Sequence, residues 1–182
     1  MHLISLRVFL LLSLSVTVLG QQSQLKSTAE VSMQAPLFTA TAMSGKIFSL
    51  ADLKGKIVVI NLWSTRCVNC VDETPELNSL VDAFKDKDVV FLAFAHDALP
   101  NVQKFLKKKP FKYEIIPAGL QEMIVPYGVP IGNGFFDIPF PTHILIDQTG
   151  VIRVNQVGVE GVAVLRQKLS DIFSVHQTVN QR

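Results

Sequence analysis

The chain has 182 residues, of which 48% are hydrophobic and 18% are charged, and its formal net charge is +2. This length and composition indicate an ordinary globular protein with one domain and a sizeable core. The small net charge gives no electrostatic reason to expect nucleic acid as a partner.

The N-terminal 20 residues have the layout of a secretory signal peptide. Arg7 precedes an apolar run over residues 8–19, and small residues follow before Gln21. The run is shorter than the roughly 20 apolar residues that a membrane span requires. We therefore predict an exported protein, periplasmic or otherwise extracytoplasmic, with no integral membrane span in the mature chain. The alternative interpretation is an uncleaved segment that anchors the protein.

The rest of the chain divides into a linker, one folded domain and a short tail. Residues 21–35 are polar without periodicity, which predicts a flexible linker. The folded domain is predicted over residues 36–176, and residues 177–182 are predicted to be a frayed tail. Two short strand-like stretches, at residues 36–43 and 46–50, predict an N-terminal β-hairpin because a turn separates them.

Buried strands and helices are predicted to alternate after this hairpin. Residues 57–62 are apolar except Asn61, which is typical of a strand that is buried on both faces. A helical stripe follows, and Pro75 within it is expected to kink the helix about one turn past Cys70. A second buried strand is predicted at residues 88–94.

The second half of the chain continues this alternation. In order we predict a helix opened by residues 98–101 and stopped by Pro110, a strand at 113–116, an irregular segment at 121–140, a hairpin of strands at 142–147 and 151–154, and a helical stripe at 162–173. Helices that alternate with apolar strands imply a central sheet with helices on both faces, which is an α/β fold.

Cys67 and Cys70 are the only cysteines of the chain, and they form a C-x-x-C motif between a predicted strand and a predicted helix. A thiol in the first turn of a helix lies near unpaired backbone N–H groups, which favour its thiolate form. A disulfide across two intervening residues removes little chain entropy, so the spacing favours redox chemistry over a structural cross-link. Export would also allow the pair to remain oxidised.

Four motifs give the chain its resemblance to a known family. They are Asn61–Cys70 (NLWSTRCVNC), Glu73 with Pro75, Tyr127–Val129 (YGV), and Phe140–Thr142 (FPT) with the strand after it. With these motifs the chain resembles the thioredoxin superfamily, and within it the exported TlpA/ResA-like thiol–disulfide oxidoreductases with their redoxin or AhpC/TSA-like domain. The resemblance covers about residues 35–173. It implies a thioredoxin-like fold with a central mixed β-sheet, helices on both faces and an N-terminal β-hairpin.

The resemblance and the positions of the residues together predict three catalytic residues. Cys67 is expected to attack the substrate, since it is the more exposed cysteine and lies nearer the start of the helix. Cys70 is expected to resolve the mixed disulfide, and Glu73 on the same helix face to accept its proton. Asn61 stands where thioredoxin has a buried aspartate, and an amide cannot titrate. The alternative interpretation of Glu73 is a carboxylate that only complements the helix dipole.

The resemblance also implies a substrate-binding surface beside the cysteines. Its predicted members are Trp63, Arg66, Phe140, Pro141 and Thr142. Pro141 matches the family's cis-proline, whose flanking backbone would pair with an extended substrate. The charge of Arg66, where the family mostly has tryptophan, is expected to stabilise the Cys67 thiolate and make the pair more oxidising. An exposed Arg66 with little effect is the alternative.

We therefore predict an exported thiol–disulfide oxidoreductase with a redox-active Cys67–Cys70 disulfide. The resemblance implies that it needs no cofactor, that it reduces exported proteins such as apocytochromes, and that a membrane-bound or exported partner donates its electrons. A peroxidase is not predicted, because Ile60 and Ser64 occupy the positions of the proline and threonine that precede a peroxidatic cysteine.

Two alternative functions stay open at this point. One is a copper chaperone in which Cys67, Cys70 and His143 bind the metal, a ligand set that suits Cu(I) or Zn(II). A buried, hydrogen-bonded strand residue is the competing interpretation of His143. The other alternative is a thioredoxin-like binding module with an inert disulfide.

Overall fold

The computed structural model of the protein describes residues 29–179, with side chains as far as residue 174. The predicted signal peptide, residues 1–20, lies outside the described residues, as do residues 21–28 of the predicted linker and the last three residues of the predicted tail. Within residues 29–179, no helix has the length and apolar character that crossing a bilayer would take.

Nine strands, five α-helices and one 3₁₀ helix make up the described chain. In chain order they are β1 (Thr39–Thr41), β2 (Ile47–Ser49), the 3₁₀ helix (Leu50–Leu53), β3 (Ile57–Trp63), α1 (Val68–Asp72), α2 (Thr74–Ala83), β4 (Val89–Ala95), α3 (Leu99–Leu106), β5 (Glu114–Ile116), α4 (Leu120–Tyr127), β6 (Val129–Gly132), β7 (Phe135–Asp137), β8 (Thr142–Ile146), β9 (Ile152–Val157) and α5 (Gly161–Val179).

A five-stranded mixed sheet forms the centre of the fold, with the strand order β5-β4-β3-β8-β9. β3 pairs in parallel with β4, and β4 with β5, whereas β8 runs antiparallel to β3 and β9. All seven residues of β3 are buried, as its apolar sequence predicts for a strand in the middle of a sheet. The predicted N-terminal hairpin is confirmed as the antiparallel pair β1-β2.

The two faces of this sheet have separate apolar cores because side chains alternate along β3. Val58, Ile60 and Leu62 pack with residues of β1, β2 and α4. Val59 and Trp63 lie on the opposite face and pack with residues of α2, α3 and α5. The predicted α/β, thioredoxin-like architecture with helices on both faces of a mixed sheet is confirmed.

Pro75 occupies a different place from the one predicted. It lies in the first turn of α2, and Glu73 separates that helix from α1. A proline in the first turn needs no partner for its missing N–H and starts the new helix with a suitable φ. The prediction of one helix kinked at Pro75 is therefore corrected to two consecutive helices.

The segment predicted to be irregular, residues 121–140, contains regular structure. It forms most of α4, whose Met123 and Tyr127 are buried, and the antiparallel hairpin β6-β7. Pro126 lies near the end of α4, where its missing N–H removes few hydrogen bonds of the helix. Pro130 lies in a two-stranded sheet, where an unpaired edge tolerates proline. The prediction was wrong because these prolines do not interrupt the elements that contain them.

The described part of the predicted linker, residues 29–35, is ordered along the outer edge of β9. Ser32 N donates to Ile152 O at 2.8 Å, and Ile152 N donates to Met33 O at 2.9 Å. At the opposite edge of the sheet, Met43 N donates to Ile115 O of β5 at 2.8 Å. These bonds correct the prediction of a flexible linker for residues 29–35. At the other end of the chain, α5 continues to Val179, so the described part of the predicted tail is helical.

Candidate active site

Cys67 and Cys70 form a disulfide at the start of α1, with their Cα atoms 5.3 Å apart. Cys67 is the N-cap residue of this helix, and its Sγ accepts a hydrogen bond from Cys70 N at 3.2 Å. Cys67 is half-buried, whereas only 2% of the surface of Cys70 is exposed. An incoming sulfur can therefore reach Cys67 more readily than Cys70.

Asp97 fixes the turn that leads from β3 to Cys67. Trp63 and Ala95 are partners in the parallel pair β3-β4, so Thr65 and Asp97 leave the sheet side by side. Asp97 accepts hydrogen bonds from Thr65 N at 2.7 Å and from Thr65 Oγ1 at 2.9 Å. These two hydrogen bonds hold the turn against Asp97, which follows the end of β4.

Asp97 carries its negative charge in a buried position. Burial raises the pKa of Asp97, but the hydrogen bonds from Thr65 and Ser64 and the charge of Arg66 outweigh it and lower the pKa below its ordinary value. Arg66 Nε lies 4.0 Å from Asp97 Oδ1, although 80% of the Arg66 side chain is exposed. Part of the positive charge beside Cys67 is therefore offset by Asp97.

Substitution of Asp97 by asparagine should destabilise the protein more at neutral pH than in acid. The amide presents N–H groups to one of the Thr65 donors, so we expect a loss of about 1–3 kcal/mol in the free energy of unfolding at pH 7. Because the folded-state pKa of Asp97 is lowered, its carboxylate stabilises the protein above about pH 4, and this contribution disappears as the pH falls through the folded-state pKa. Urea unfolding at pH 7 and pH 2.5 measures both effects.

The matched control is Asp88→Asn, which changes an exposed carboxylate that pairs with Lys56 at 3.0 Å. It should alter stability little at either pH, since exposed ion pairs contribute little. An equal loss of stability at pH 7 and pH 2.5 in Asp97→Asn would contradict the assigned role of the charge.

Asn61 of β3, His143 of β8 and Glu73 form a cluster of buried polar side chains, and Glu73 lies between α1 and α2, three residues after Cys70. Asn61 Nδ2 lies 3.3 Å from Glu73 Oε1 and 3.3 Å from His143 Nδ1. Glu73 Oε2 lies 3.3 Å from His143 Nε2, at a distance typical of an ion pair but without hydrogen-bond alignment. The side chain of Glu73 is 5% exposed and that of His143 is fully buried.

Tyr113 is a fourth member of these buried surroundings. Burial raises the pKa of Tyr113 well above its ordinary value, and the negative charge of Glu73 raises it further. The phenol is therefore neutral at every pH at which the protein would work. It adds no charge to the cluster of Asn61, Glu73 and His143.

The loop before β8 has the geometry that the resemblance implies. The Phe140–Pro141 peptide bond is cis, and Pro141 is buried. Thr142 Oγ1 donates to Pro139 O at 2.6 Å, which ties the loop to itself. Phe140 packs against the apolar cores on both faces of the sheet, and Cys67 packs against one of these cores.

Two open pockets lie beside the turn and the loop. A pocket of about 380 Å³ is lined by Arg66, Lys104 and Lys108, among others. A pocket of about 530 Å³ is lined by Phe140 and Ile138, with further apolar side chains of α4. A protein substrate at Cys67 would therefore meet a basic surface near Arg66 and an apolar surface near Phe140.

Trp63 is placed differently from the other predicted substrate-binding residues. Its side chain is fully buried and packs against Phe105, at 5.1 Å between ring centroids, and against Phe111, at 5.5 Å. Burial argues against direct contact between Trp63 and a substrate. Arg66, Phe140 and the backbone around Pro141 remain the candidates for that contact.

In the described chain, Cys67 and Cys70 are bonded to each other rather than arranged with His143 around a metal position. Among the described residues, no group of three or more His, Cys, Asp or Glu side chains is arranged to bind a metal ion. The ring nitrogens of His143 instead face Asn61 and Glu73. This geometry favours the interpretation of His143 as a buried strand residue.

Two features of the site do not follow from the motifs. The role of Asp97 in fixing the turn depends on the parallel register that places it beside Thr65. The meeting of His143 with Glu73 depends on the antiparallel register in which Asn61 and His143 are partners. An alignment of the three predicted strands, with Asn61 opposite His143, would have been the signal for both.

Comparisons with known proteins identify a family and several relatives of the chain. The profile of the AhpC/TSA family matches residues 31–155. The chain is 36% identical, over 124 residues, to the thiol-disulfide oxidoreductase ResA of Bacillus thuringiensis subsp. konkukian, which covers 68% of this chain and 67% of that protein. The protein of the same name from Geobacillus thermodenitrificans is 28% identical over 166 residues, or 91% of each chain.

The fold has solved relatives as well. A thiol:disulfide interchange protein of the thioredoxin family from Chlorobium tepidum TLS is 28% identical to the chain, with a TM-score of 0.61. The similarity covers 74% of this chain and 91% of that one.

Proposed function

The chain belongs to the AhpC/TSA family as a TlpA/ResA-like thiol–disulfide oxidoreductase of the thioredoxin superfamily, and from this premise we propose that Cys67 and Cys70 exchange disulfides with protein substrates. The observation that carries the proposal is the disulfide at the start of α1, in which Cys67 is half-buried and Cys70 is buried. Its reduced form is a dithiol that reduces substrate disulfides.

Cys67 begins the reaction as a thiolate. It attacks one sulfur of the substrate disulfide, the substrate S–S bond breaks, and a mixed disulfide forms between Cys67 and the substrate. The N–H of Cys70, which already points at Cys67 Sγ from 3.2 Å, would stabilise the attacking thiolate. This supports Cys67 as the nucleophile.

Cys70 then resolves the mixed disulfide. Glu73 accepts its proton, the Cys70 sulfur bonds to Cys67 Sγ, and the second substrate sulfur leaves as a thiolate that takes a proton from solvent. The substrate gains two electrons and the cysteine pair loses two. A thiol or dithiol donor, membrane-bound or exported, must therefore reduce the pair again after each turnover.

Substrates are proposed to be exported proteins with disulfides, with apocytochromes as one class. An extended substrate segment would pair with the backbone at Phe140 and Pro141, between the apolar pocket and Cys67. We also propose that residues 1–20 are a signal peptide and that the protein works outside the cytoplasm, which the sequence of the N-terminus supports.

The test is a redox titration of the cysteine pair against dithiothreitol and against glutathione. A reductant of protein disulfides should remain oxidised in a glutathione buffer and become reduced by dithiothreitol, with a potential nearer that of thioredoxin, about −270 mV, than that of a strong oxidant, about −120 mV. A potential near the second value would overturn the proposed direction of electron flow.

Arg66→Ala should make the potential of the pair more negative. Arg66 favours the thiolate and hence the dithiol, but its side chain is exposed and partly offset by Asp97. We therefore expect a shift of only about 10–20 mV at low salt, which falls further at high salt. Lys54→Ala, on the 3₁₀ helix side of the fold, is the matched charge deletion and should not move the potential; a positive shift in Arg66→Ala would contradict the assigned effect.

A further inference from the structure

The buried cluster of Asn61, Glu73 and His143 fixes its own hydrogen-bond directions. An amide nitrogen carries two N–H donors, and an ionised carboxylate oxygen can only accept. One N–H of Asn61 is therefore directed at Glu73 Oε1, and the other meets His143 Nδ1, each at 3.3 Å. The reverse orientation of the amide would place its oxygen against the carboxylate, which is repulsive.

This arrangement determines the tautomer of His143. Because Nδ1 accepts from Asn61, the proton of the neutral ring is on Nε2. Nε2 lies 3.3 Å from Glu73 Oε2, which is within ion-pair distance although the two groups are not aligned as a hydrogen bond. Each oxygen of Glu73 therefore faces one donor, from Asn61 on one side and from His143 on the other.

The imidazole has little freedom to leave this position. His143 is the β-sheet partner of Asn61, and Gly161 at the start of α5 contacts its ring so closely that a Cβ at that position would collide with it. Two other side chains with titratable forms are placed near Glu73: Tyr113, whose pKa the charge of Glu73 raises, and Cys70, three residues earlier and bonded to Cys67 in this structure. Neither lies on β8, the strand that carries His143.

We propose that His143 is a positioning residue for thiol–disulfide exchange, which donates to Glu73 and orients its carboxylate to accept the proton of Cys70. The inference rests on the proposed role of Glu73. A carboxylate that is removed from water is destabilised relative to the neutral acid, and hydrogen bonds to its charged form offset that effect. Without His143, the carboxylate lacks this donor on its Oε2 side and is a less effective acceptor for the Cys70 proton. The effect should be smallest at high pH, where a thiol ionises without a base.

His143 exchanges no atom in the step that it supports. The Cys70 proton moves to Glu73, the Cys70–Cys67 bond forms, and the bond from Cys67 to the substrate sulfur breaks. Glu73 later returns its proton to solvent. His143 only changes the fraction of the protein in which Glu73 is ready to accept.

The resolving step can be measured by itself with the aromatic disulfide 5,5′-dithiobis(2-nitrobenzoate). Attack by Cys67 of the reduced protein releases one coloured thiolate, and attack by Cys70 on the mixed disulfide releases the second. In His143→Leu, which fills the space without a donor, the second phase should slow about tenfold at pH 6 and recover to the unsubstituted rate near pH 9. In His143→Gln, whose amide places a donor near the position of Nε2, most of the rate at pH 6 should return.

The comparison with Glu73→Gln separates the inference from the function on which it rests. A second phase in Glu73→Gln as fast as in the unsubstituted protein would overturn the proposed role of Glu73, and the inference with it. A slow Glu73→Gln together with an unchanged pH profile in His143→Leu would overturn the role of His143 alone. A loss of rate in His143→Leu that is equal at every pH would also overturn it, since that is the result of a merely structural residue.

Two further measurements guard against loss of folding. Tyr127→Phe removes a buried hydroxyl on the opposite face of the sheet, where it donates to Pro36 O at 2.7 Å, and should leave the pH profile unchanged. Nitrogen-15 NMR of the unsubstituted protein avoids the risk that a variant fails to fold. It should show a proton on Nε2 of His143 and none on Nδ1, and a proton on Nδ1 would overturn the proposal even if every His143 variant failed to fold.

Discussion

Cys67→Ser is expected to reduce the rate of insulin reduction by at least about 100-fold, to the level of the reaction with dithiothreitol alone. Cys67 is the accessible sulfur of the pair, and its Sγ receives the N–H of Cys70. A serine hydroxyl cannot form the mixed disulfide, and Cys70, with 2% of its surface exposed, cannot replace Cys67 as the attacking group. Turbidity of precipitating insulin chains measures the rate.

Two further variants in the same turn serve as comparisons for this result. Cys70→Ser should still attack substrate but should accumulate as a mixed disulfide, which non-reducing electrophoresis or mass spectrometry detects. Val68→Ala lies between the cysteines with an exposed side chain and should reduce insulin like the unsubstituted protein. Equal rates in Cys67→Ser and the unsubstituted protein would leave the disulfide without a catalytic role.

Trp63→Ala should cause the largest loss of stability among single substitutions at the site. The indole is fully buried at the end of β3 and contacts the rings of Phe105 and Phe111. Its removal leaves a cavity in the core between the sheet and α3, with an expected loss of about 3–5 kcal/mol in the free energy of unfolding. For a domain of this size the melting temperature should fall by roughly 10 °C or more. Circular dichroism is the appropriate probe because Trp63 is the only tryptophan.

The same position also tests whether Trp63 touches substrate. Trp63→Phe keeps an aromatic ring in the core and should retain most of the insulin-reducing activity, because the indole has no exposed surface with which to bind substrate. Phe135→Ala, at an exposed aromatic residue of β7, is the control for loss of a ring and should change stability little. Activity lost in a stably folded Trp63→Phe protein would restore the predicted substrate-binding role.

Local patterns in the sequence are sufficient for the central part of this fold. The uninterrupted apolar run of β3 predicts a buried strand, and the C-x-x-C motif after it predicts a redox site at the start of a helix. The two elements that were not predicted, α4 and the hairpin β6-β7, contain prolines and glycines that the same local rules assign to loops. For α4, the packing of Met123 and Tyr127 in the core stabilises the helix instead.

The buried cluster shows where local patterns stop being informative. Asn61, Glu73 and His143 are separated by 12 and 70 residues along the chain, and only the register of β3 with β8 and the break between α1 and α2 bring them together. The sequence predicts Glu73 as a base and leaves His143 between a metal ligand and a strand residue. The choice between these interpretations requires the directions of the ring nitrogens, which are a property of the packed core.

The ordered segments at the two edges of the sheet affect how partly unfolded proteins can pair with it. An open strand edge can recruit the extended backbone of another chain and begin aggregation. Here residues 32–35 occupy the margin beyond β9, and Met43 bonds to β5 at the other margin. Part of each edge of the five-stranded sheet is therefore already hydrogen-bonded within the described chain, which should disfavour the addition of an extended segment of a partly unfolded protein at those positions.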